Sequence, residues 1–358
     1  MKRVVSVSIG SSRRNHVVET EIRGEIFQIE RVGTDGSLAR AEELIRELDG
    51  KIAAFGLGGI DLYLYAGDRR YTIKDARRLA EAARITPVAD GSGLKQSLER
   101  KIVYLLADDP RVRLRGRNVL LVSALDRYGM AEAFAGVDAS LCMGDAMFAL
   151  GVPLPIRSFG TIRLLARLLL PVITRLPFEW IYPTGSSQVE NTPRFESFFA
   201  AADVIAGDFL YIHRYMPTRL DGKIILTNTV TREDRDELSR RGAAWLVTTT
   251  PELNGRSFGT NVMEALLLAL TGKRSGELSG DDYLALLEQI GFSPRVENLQ
   301  ATAGKADAGS GNRECRPDET EGSSAAVAAA QELQETKSAS GDVASTAILS
   351  RATSSTRS

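Results

Sequence analysis

The chain is poor in the residues that metal and thiol chemistry uses. Its 358 residues include only two cysteines and two histidines. Cys142 lies in an apolar segment and Cys315 in a polar stretch, so neither a disulfide framework nor a zinc site is expected. No H-x-x-H or His/Cys cluster suggests another metal, and His213, in DFLYIHRYMP, could reach a cleft but reads rather as a structural histidine beside aromatics. A formal net charge of −1 provides no overall basic field, which argues against nucleic acid as the main partner. Uninterrupted apolar runs are also missing. The most apolar region, Ile162 to Tyr182, is broken by Arg167, Pro171, Arg175, Pro177 and Glu179. It reads as a buried or partner-facing helix, because a membrane span needs roughly 20 consecutive apolar residues. The opening MKRVVSVSIGSS is too short in apolar residues for a signal peptide and reads as a first strand, which makes the cytoplasm the default location. There is no Walker loop, no G-x-S-x-G elbow and no G-x-G-x-x-G. Beyond about Gln300 there is no Phe, Tyr or Trp, so residues 301–358 cannot bury enough apolar surface to offset their ordering entropy and read as a disordered tail.

What is present is a succession of short apolar segments alternating with helical spacing. Residues 4–9, 51–59 and 86–93 read as strands, and hairpins are expected around Arg23–Gly24 and at 66–68. Helices are expected at 37–50, 75–85 and 94–109, the last with Leu94, Leu98, Ile102, Leu105 and Leu106 on one side. Residues 1–112 therefore form a first α/β domain. NVLLVSA (118–124), SLCMGD (140–145), WIYPTG (180–185), DVIAGD (203–208), KIILTNT (223–229) and WLVTTTP (245–251) follow. Apolar runs of this length between helices predict a doubly wound, Rossmann-like parallel sheet over 113–275. A helical segment at 276–300 precedes the tail.

In an open parallel sheet, ligands gather at the carboxyl ends of the strands. The turn after NVLLVSA leads into a helix, where a dinucleotide fold holds its pyrophosphate on backbone N–H groups. Ser123, Ala124, Arg127 and Gly129 are the candidates there. Asp145 ends the next strand about 20 residues on, the spacing of a carboxylate that accepts from ribose hydroxyls. Gly129 stands alone where three glycines are expected, and Asp126 would repel a phosphate unless Arg127 compensates. The competing reading is that Ser123 or Asp126 simply caps the helix. Thr184, Gly185, Asn228, Thr229 and Thr249, at later strand ends, complete the candidate cofactor set.

In the first domain, GLGGID and DGSGLK close two predicted strands. Gly58, Gly59, Ser92 and Gly93 would let a backbone approach a substrate closely, and Asn261, at a later helix start, would reach it from the other side. Lys95 beside a carboxylate, Asp61 or Asp90, suits proton transfer between an alcohol and a ketone. Against this, the glycines could only make turns, with Lys95 a solvated first-turn residue.

GLGGIDLYL, TPVADGSGLK, ADVIAGDFLYIHRYMP, DGKIILTNTVTREDRDELSRRG and LVTTTPELNGRSFGTNVMEA together resemble the bacterial quinate 5-dehydrogenase-like family. That family lies within the broader shikimate/quinate dehydrogenase and glutamyl-tRNA reductase-like Rossmann group. The resemblance covers roughly residues 1–300. It implies two α/β domains around a cleft, NAD or NADP on the second, and a cyclitol carboxylate such as quinate or shikimate between them. It carries Lys95 over as the catalytic lysine and leaves its acidic partner open between Asp61 and Asp90; the family's N-T-D motif is replaced here by GTNVMEA. The leading expectation is an NAD(P)-dependent oxidoreductase acting on a hydroxyl or keto group of a small polar metabolite. The alternative is a non-catalytic Rossmann-like protein that binds a nucleotide or metabolite. A small-molecule substrate is expected, with no nucleic acid and no membrane; homo-oligomerisation is left open.

Overall fold

The structure is a computed structural model that describes residues 1–67, 69–177, 190–250, 252–253, 256–257 and 259–300. These residues all fall within the compact unit Met1–Ser310. The first strand, β1 (Lys2–Ser8), buries Val4, Val5 and Val7 on both of its faces, as a central parallel strand requires. It pairs in parallel with β3 (Glu25–Gly33) on one side and β4 (Ala54–Gly58) on the other. β7 (Val88–Ala89) continues the parallel set beyond β4, and β2 (His16–Ile22) runs antiparallel to β3 at the edge. The β2–β3 hairpin turns at Arg23 and Gly24, both at positive φ (54° and 79°), the conformation that matches the strands' twist. Helices α1 (Leu38–Leu48) and α2 (Lys74–Ala82) contribute Ala41, Ile45, Ala76 and Leu79 to the core over one face of this sheet. A separate hairpin, β5 (Tyr63–Ala66) and β6 (Arg69–Thr72), adds Leu64 and Ala66 to the same layer.

Past β7 the chain enters α3 (Ser92–Leu94), a π-helical turn at Lys95–Glu99, and α4 (Arg100–Leu105). The second sheet then begins. Its elements are β8 (Asn118–Leu121), α5 (Tyr128–Gly136), β9 (Ser140–Met143), α6 (Asp145–Leu150), α7 (Phe159–Ile173), α8 (Glu196–Ala201), β10 (Val204–Gly207), α9 (Phe209–Tyr215), β11 (Ile224–Thr227), α10 (Arg232–Arg240) and β12 (Trp245–Thr248). After the short ribbon β13 (Glu252–Leu253) and β14 (Arg256–Ser257) come α11 (Thr260–Thr271), α12 (Gly280–Gln289) and β15 (Arg295–Asn298). The sheet order is β15-β12-β11-β10-β8-β9, all parallel except β15 against β12. Counting the parallel strands in chain order, it reads 2-1-3-4-5 and reverses between β8 and β10.

The fold is thus a two-lobed α/β arrangement with parallel sheets, as the sequence leads one to expect. The segment WIYPTG, with Thr184 and Gly185, lies outside the described residues. Among the described residues the sheet also has an edge strand, β15, where the sequence reading placed none. RVEN is half-buried throughout and has no apolar alternation to announce a strand. The helix α11, coming from the second lobe, packs back against β1, β4 and β7 of the first. Gly91 admits it. At φ +89° it passes so close that an added Cβ would stand 2.6 Å from the Asn261 amide nitrogen.

Candidate ligand-binding cleft

The residues just after β4, β7, β8, β9, β10 and β11 converge on one cavity of about 470 Å³. It sits at the reversal between β8 and β10, where a doubly wound sheet leaves a crevice open to a ligand. Its volume falls in the range of small-molecule sites. Asp61, Asp90, Lys95, Asp126, Asp145, Asp208 and Asn228 form a polar floor.

Lys95 is the centre of that floor. Its ammonium donates to Asp61 at 2.5 Å and to Asp126 at 2.7 Å, with the side chain almost wholly buried. The π-helical turn that begins at Lys95 is the kind of local irregularity that marks functional positions. Burial works against the ammonium, but Asp126 and Asp61 outweigh it and hold Lys95 above its ordinary range. Burial, reinforced by Asp126, pushes Asp61 up to about 6. Burial opposes the charge on Asp126 as well, yet Lys95 and Arg127 hold it below the usual carboxylate range. Of the two carboxyls, Asp61 therefore takes a proton first.

Arg127 lies behind the floor, fully buried. It is ion-paired with Glu99, 3.4 Å from Asp208 and 3.5 Å from Asp126. Asp208 caps α9 by accepting from the Leu210 amide at 2.9 Å and also accepts from the Asn228 side chain at 3.2 Å. Asp90 accepts from the amides of Leu62 (2.9 Å) and Tyr63 (3.2 Å) and from the amide and hydroxyl of Ser92. Its carboxylate braces the loop that carries Asp61. Tyr211 and Arg214 reach the cavity from α9.

The turn after β8 does not make a phosphate cradle. The Asp145 carboxylate accepts from the amides of Ala124 and Leu125, both at 3.0 Å. These are the amides that would hold a pyrophosphate, and a carboxylate already occupies them. Burial pushes Asp145 up to about 6 despite those bonds. Asp126 and Asp208 add negative charge on either side, so the expected dinucleotide anion would meet repulsion where it needs donors.

The structure brings together part of the sequence-predicted set. Asp61, Asp90, Lys95, Gly59, Ser123, Asp145, Asn228 and Asn261 all line the cavity. The rest have other surroundings. Ala124 is buried and gives its amide to Asp145, while Gly129 gives its amide to Gln96. Thr249 is buried, with its amide on the Thr227 carbonyl, and Thr229 does not line the cavity. Gly58 packs against Ser8, and Gly93 against Tyr283 and Glu264. Ser92 serves Asp90. Sequence reasoning missed Tyr211 as a site residue, whereas Asp208 stands at the polar exit of an apolar segment, where ligands were expected to gather. It also missed the wall. Leu150, Val152, Leu154, Ile162, Leu165 and Leu169 line the cavity above the floor, five of them half-buried or exposed.

Residues 93–299, more than half of the chain, match the family model described as "Domain of unknown function (DUF8754)". The chain belongs to that family. Residues 3–90 match a second model, "Domain of unknown function (DUF8753)". No curated protein matches the sequence. Among solved structures, the chain is similar to the periplasmic binding protein component of an arabinose ABC transporter from Shewanella sp. ANA-3, bound to arabinofuranose. The identity is 10%, over 86% of this chain and 95% of that one, with a TM-score of 0.35. It is similar to a periplasmic ribose ABC transporter protein from Conexibacter woesei DSM 14684 at 10% identity, over 86% and 94%, with a TM-score of 0.35. An ABC transporter periplasmic solute binding protein from Actinobacillus succinogenes 130z with bound D-allose follows at 9% identity, over 85% and 100%, with a TM-score of 0.35.

These findings correct several expectations. Both matched families are of unknown function and no curated protein matches, so the quinate/shikimate 5-dehydrogenase-like assignment is withdrawn. With it go the oxidoreductase activity and the NAD or NADP cofactor, whose phosphate position Asp145 fills. The cytoplasmic location is withdrawn as well, since neither matched family model carries a location. At these identities and TM-scores the likeness carries no ligand across. Among the described residues no helix is long and apolar enough to cross a membrane.

Proposed function

We propose that the chain is a binding protein whose cleft takes an uncharged or cationic amphiphile: a polar end rich in hydroxyl or amino donors on an aliphatic body. One observation carries the reading, the composition of the cavity. Its floor sets Asp61, Asp90, Asp126, Asp145 and Asp208 against Lys95 and Arg214, and its wall is aliphatic. Carboxylates accept hydrogen bonds and cannot donate them when ionised, so such a floor matches hydroxyl or ammonium donors of the kind a sugar or an amine presents. The same charges disfavour an anionic end. Tyr211 lines the cavity, and the leucines and isoleucines around it offer an alkyl chain a place to leave water.

Calorimetric titration with short-chain probes tests this. Hexyl glucoside and hexylammonium present the two favoured ends on one chain, and hexanoate presents the disfavoured one. Saturable binding of either of the first two, with hexanoate at least about tenfold weaker, is expected from a like-charge penalty above about 1.4 kcal/mol. Hexanoate binding as tightly as the others, or no saturable binding of any probe, would remove the proposal.

A further inference from the structure

The helix α7 is apolar on two opposite sides, with Arg163 and Arg167 between them. Ile162, Ala166 and Leu170 point into the protein, while Leu164, Leu168 and Val172 lie on the opposite side at 58%, 63% and 61% exposure. A soluble helix normally gives that outer stripe to charged residues. The stripe is not isolated. Leu150, Val152 and Leu154 are also exposed and line the same cavity as Leu165 and Leu169 of α7, so the apolar surface continues around the mouth of the cleft.

The charges that α7 and the described segments flanking it in the chain bring to this face are of one sign. Between Asp145 and Glu179 the chain contains no carboxylate, and Arg157, Arg163, Arg167 and Arg175 are all exposed. The hairpin β5–β6 adjoins α7, and its strand β6 adds exposed Arg69 and Arg70. The whole chain is nearly neutral, at −1, so this basicity is local. Aliphatic side chains flanked by arginine are the composition that settles into the headgroup region of an anionic bilayer. The 15 residues of α7 are too few to span one, since a span takes roughly 20. A second copy of the chain is a poorer occupant. A two-fold contact would set the face against itself and bring arginine against arginine.

We propose that the α7 face, with the Leu150–Leu154 segment, docks on the surface of an anionic lipid bilayer. This contact does not depend on what the cleft binds. It lays the apolar mouth of the cleft against the membrane.

Flotation of the full chain with lipid vesicles tests it. One vesicle set is phosphatidylcholine alone and the other contains phosphatidylglycerol as well. The chain is expected to float with the second set and not the first, and to detach as salt screens the arginines. Arg163→Glu with Arg167→Glu should weaken partitioning by about tenfold or more, and Leu164→Ser with Leu168→Ser should weaken it too. Both pairs are exposed, and an unchanged melting temperature shows that the fold has survived. Absence of binding to the anionic vesicles, or equal binding to both sets, overturns the proposal. So does a dimer in solution that Leu168→Ser breaks while the wild-type chain ignores vesicles, which would assign the face to self-association.

Discussion

Lys95 stands between Asp61 and Asp126 in a setting where no single charge would be stable alone, and the pair needs the ammonium as much as the ammonium needs the pair. Part of this was legible in the sequence. The glycine-terminated strand ends singled out Asp61, Asp90 and Lys95 as one group, and the structure places all three on the cavity. The partnership with Asp126 was not legible, because it joins residues 31 apart across the lobes. Read locally, Asp126 was merely a carboxylate in the wrong place for a phosphate. Asp145 was placed correctly at the end of β9, but nothing in its spacing said that it would turn back onto the Ala124 and Leu125 amides. A second buried carboxyl gives a clean test at this scale. Glu264 is fully buried and accepts from the Tyr283 hydroxyl at 2.8 Å, and burial pushes its carboxyl up to about 7. Between the ordinary carboxylate range and that value the folded chain keeps a proton that the unfolded chain has lost. The resulting stability is complete below the ordinary value and disappears as the pH rises through about 7. Glu264→Gln remains uncharged and removes this loss. Urea unfolding at about pH 5 and about pH 8 should show the variant gaining on wild type by a few kcal/mol at the higher pH. Parallel profiles for the two proteins would mean that Glu264 is ionised throughout.

At the scale of elements, the strands of the second sheet were legible because both faces are covered and their residues are apolar in unbroken runs. NVLL, SLCM, VIAG, IILT and WLVT all form strands within the expected segments. The edge strand β15 was not legible, since a half-buried strand paired on one side needs no apolar run. The glycines of the first lobe were read as room for a substrate, and most of that room goes to protein. An added Cβ at Gly56 or Gly91 would meet Asn261 at the start of α11, and at Gly93 it would meet Tyr283. Sequence shows that a backbone comes close to something; it does not show to what. Gly91 concentrates the effect, with φ +89° and contacts of 2.6 Å to the Asn261 nitrogen and 2.7 Å to the Thr260 hydroxyl. Gly91→Ala combines the left-handed backbone penalty with overpacking and should cost more than about 2 kcal/mol in urea unfolding. A loss under about 0.5 kcal/mol, within the range of ordinary surface substitutions, would show that α11 can shift away freely.

For the whole molecule the question is whether two sheets make two folding units. Each lobe is long enough to hold a core of its own, which favours independent melting. The packing argues otherwise. One continuous cluster of buried side chains contains Val4, Phe27 and Ile29 of the first sheet together with Val119, Leu121 and Val204 of the second. Val262, Met263, Leu266 and Leu267 of α11 belong to the same cluster, and the helix lies against β1, β4 and β7 although the chain reaches it only after β12. Lys95 adds a charged tie, joining Asp61 of one lobe to Asp126 of the other. Unfolding either lobe alone would expose this shared core and strand those charges, so an intermediate with one lobe folded keeps little of the stability of the whole. Scanning calorimetry should therefore show one transition, with calorimetric and van't Hoff enthalpies in agreement. Gly91→Ala should move that transition down without splitting it, because the helix it disturbs is common to both lobes. Two resolved transitions in the wild-type chain would mean that the continuity across α11 contributes little, and that each sheet closes its own core.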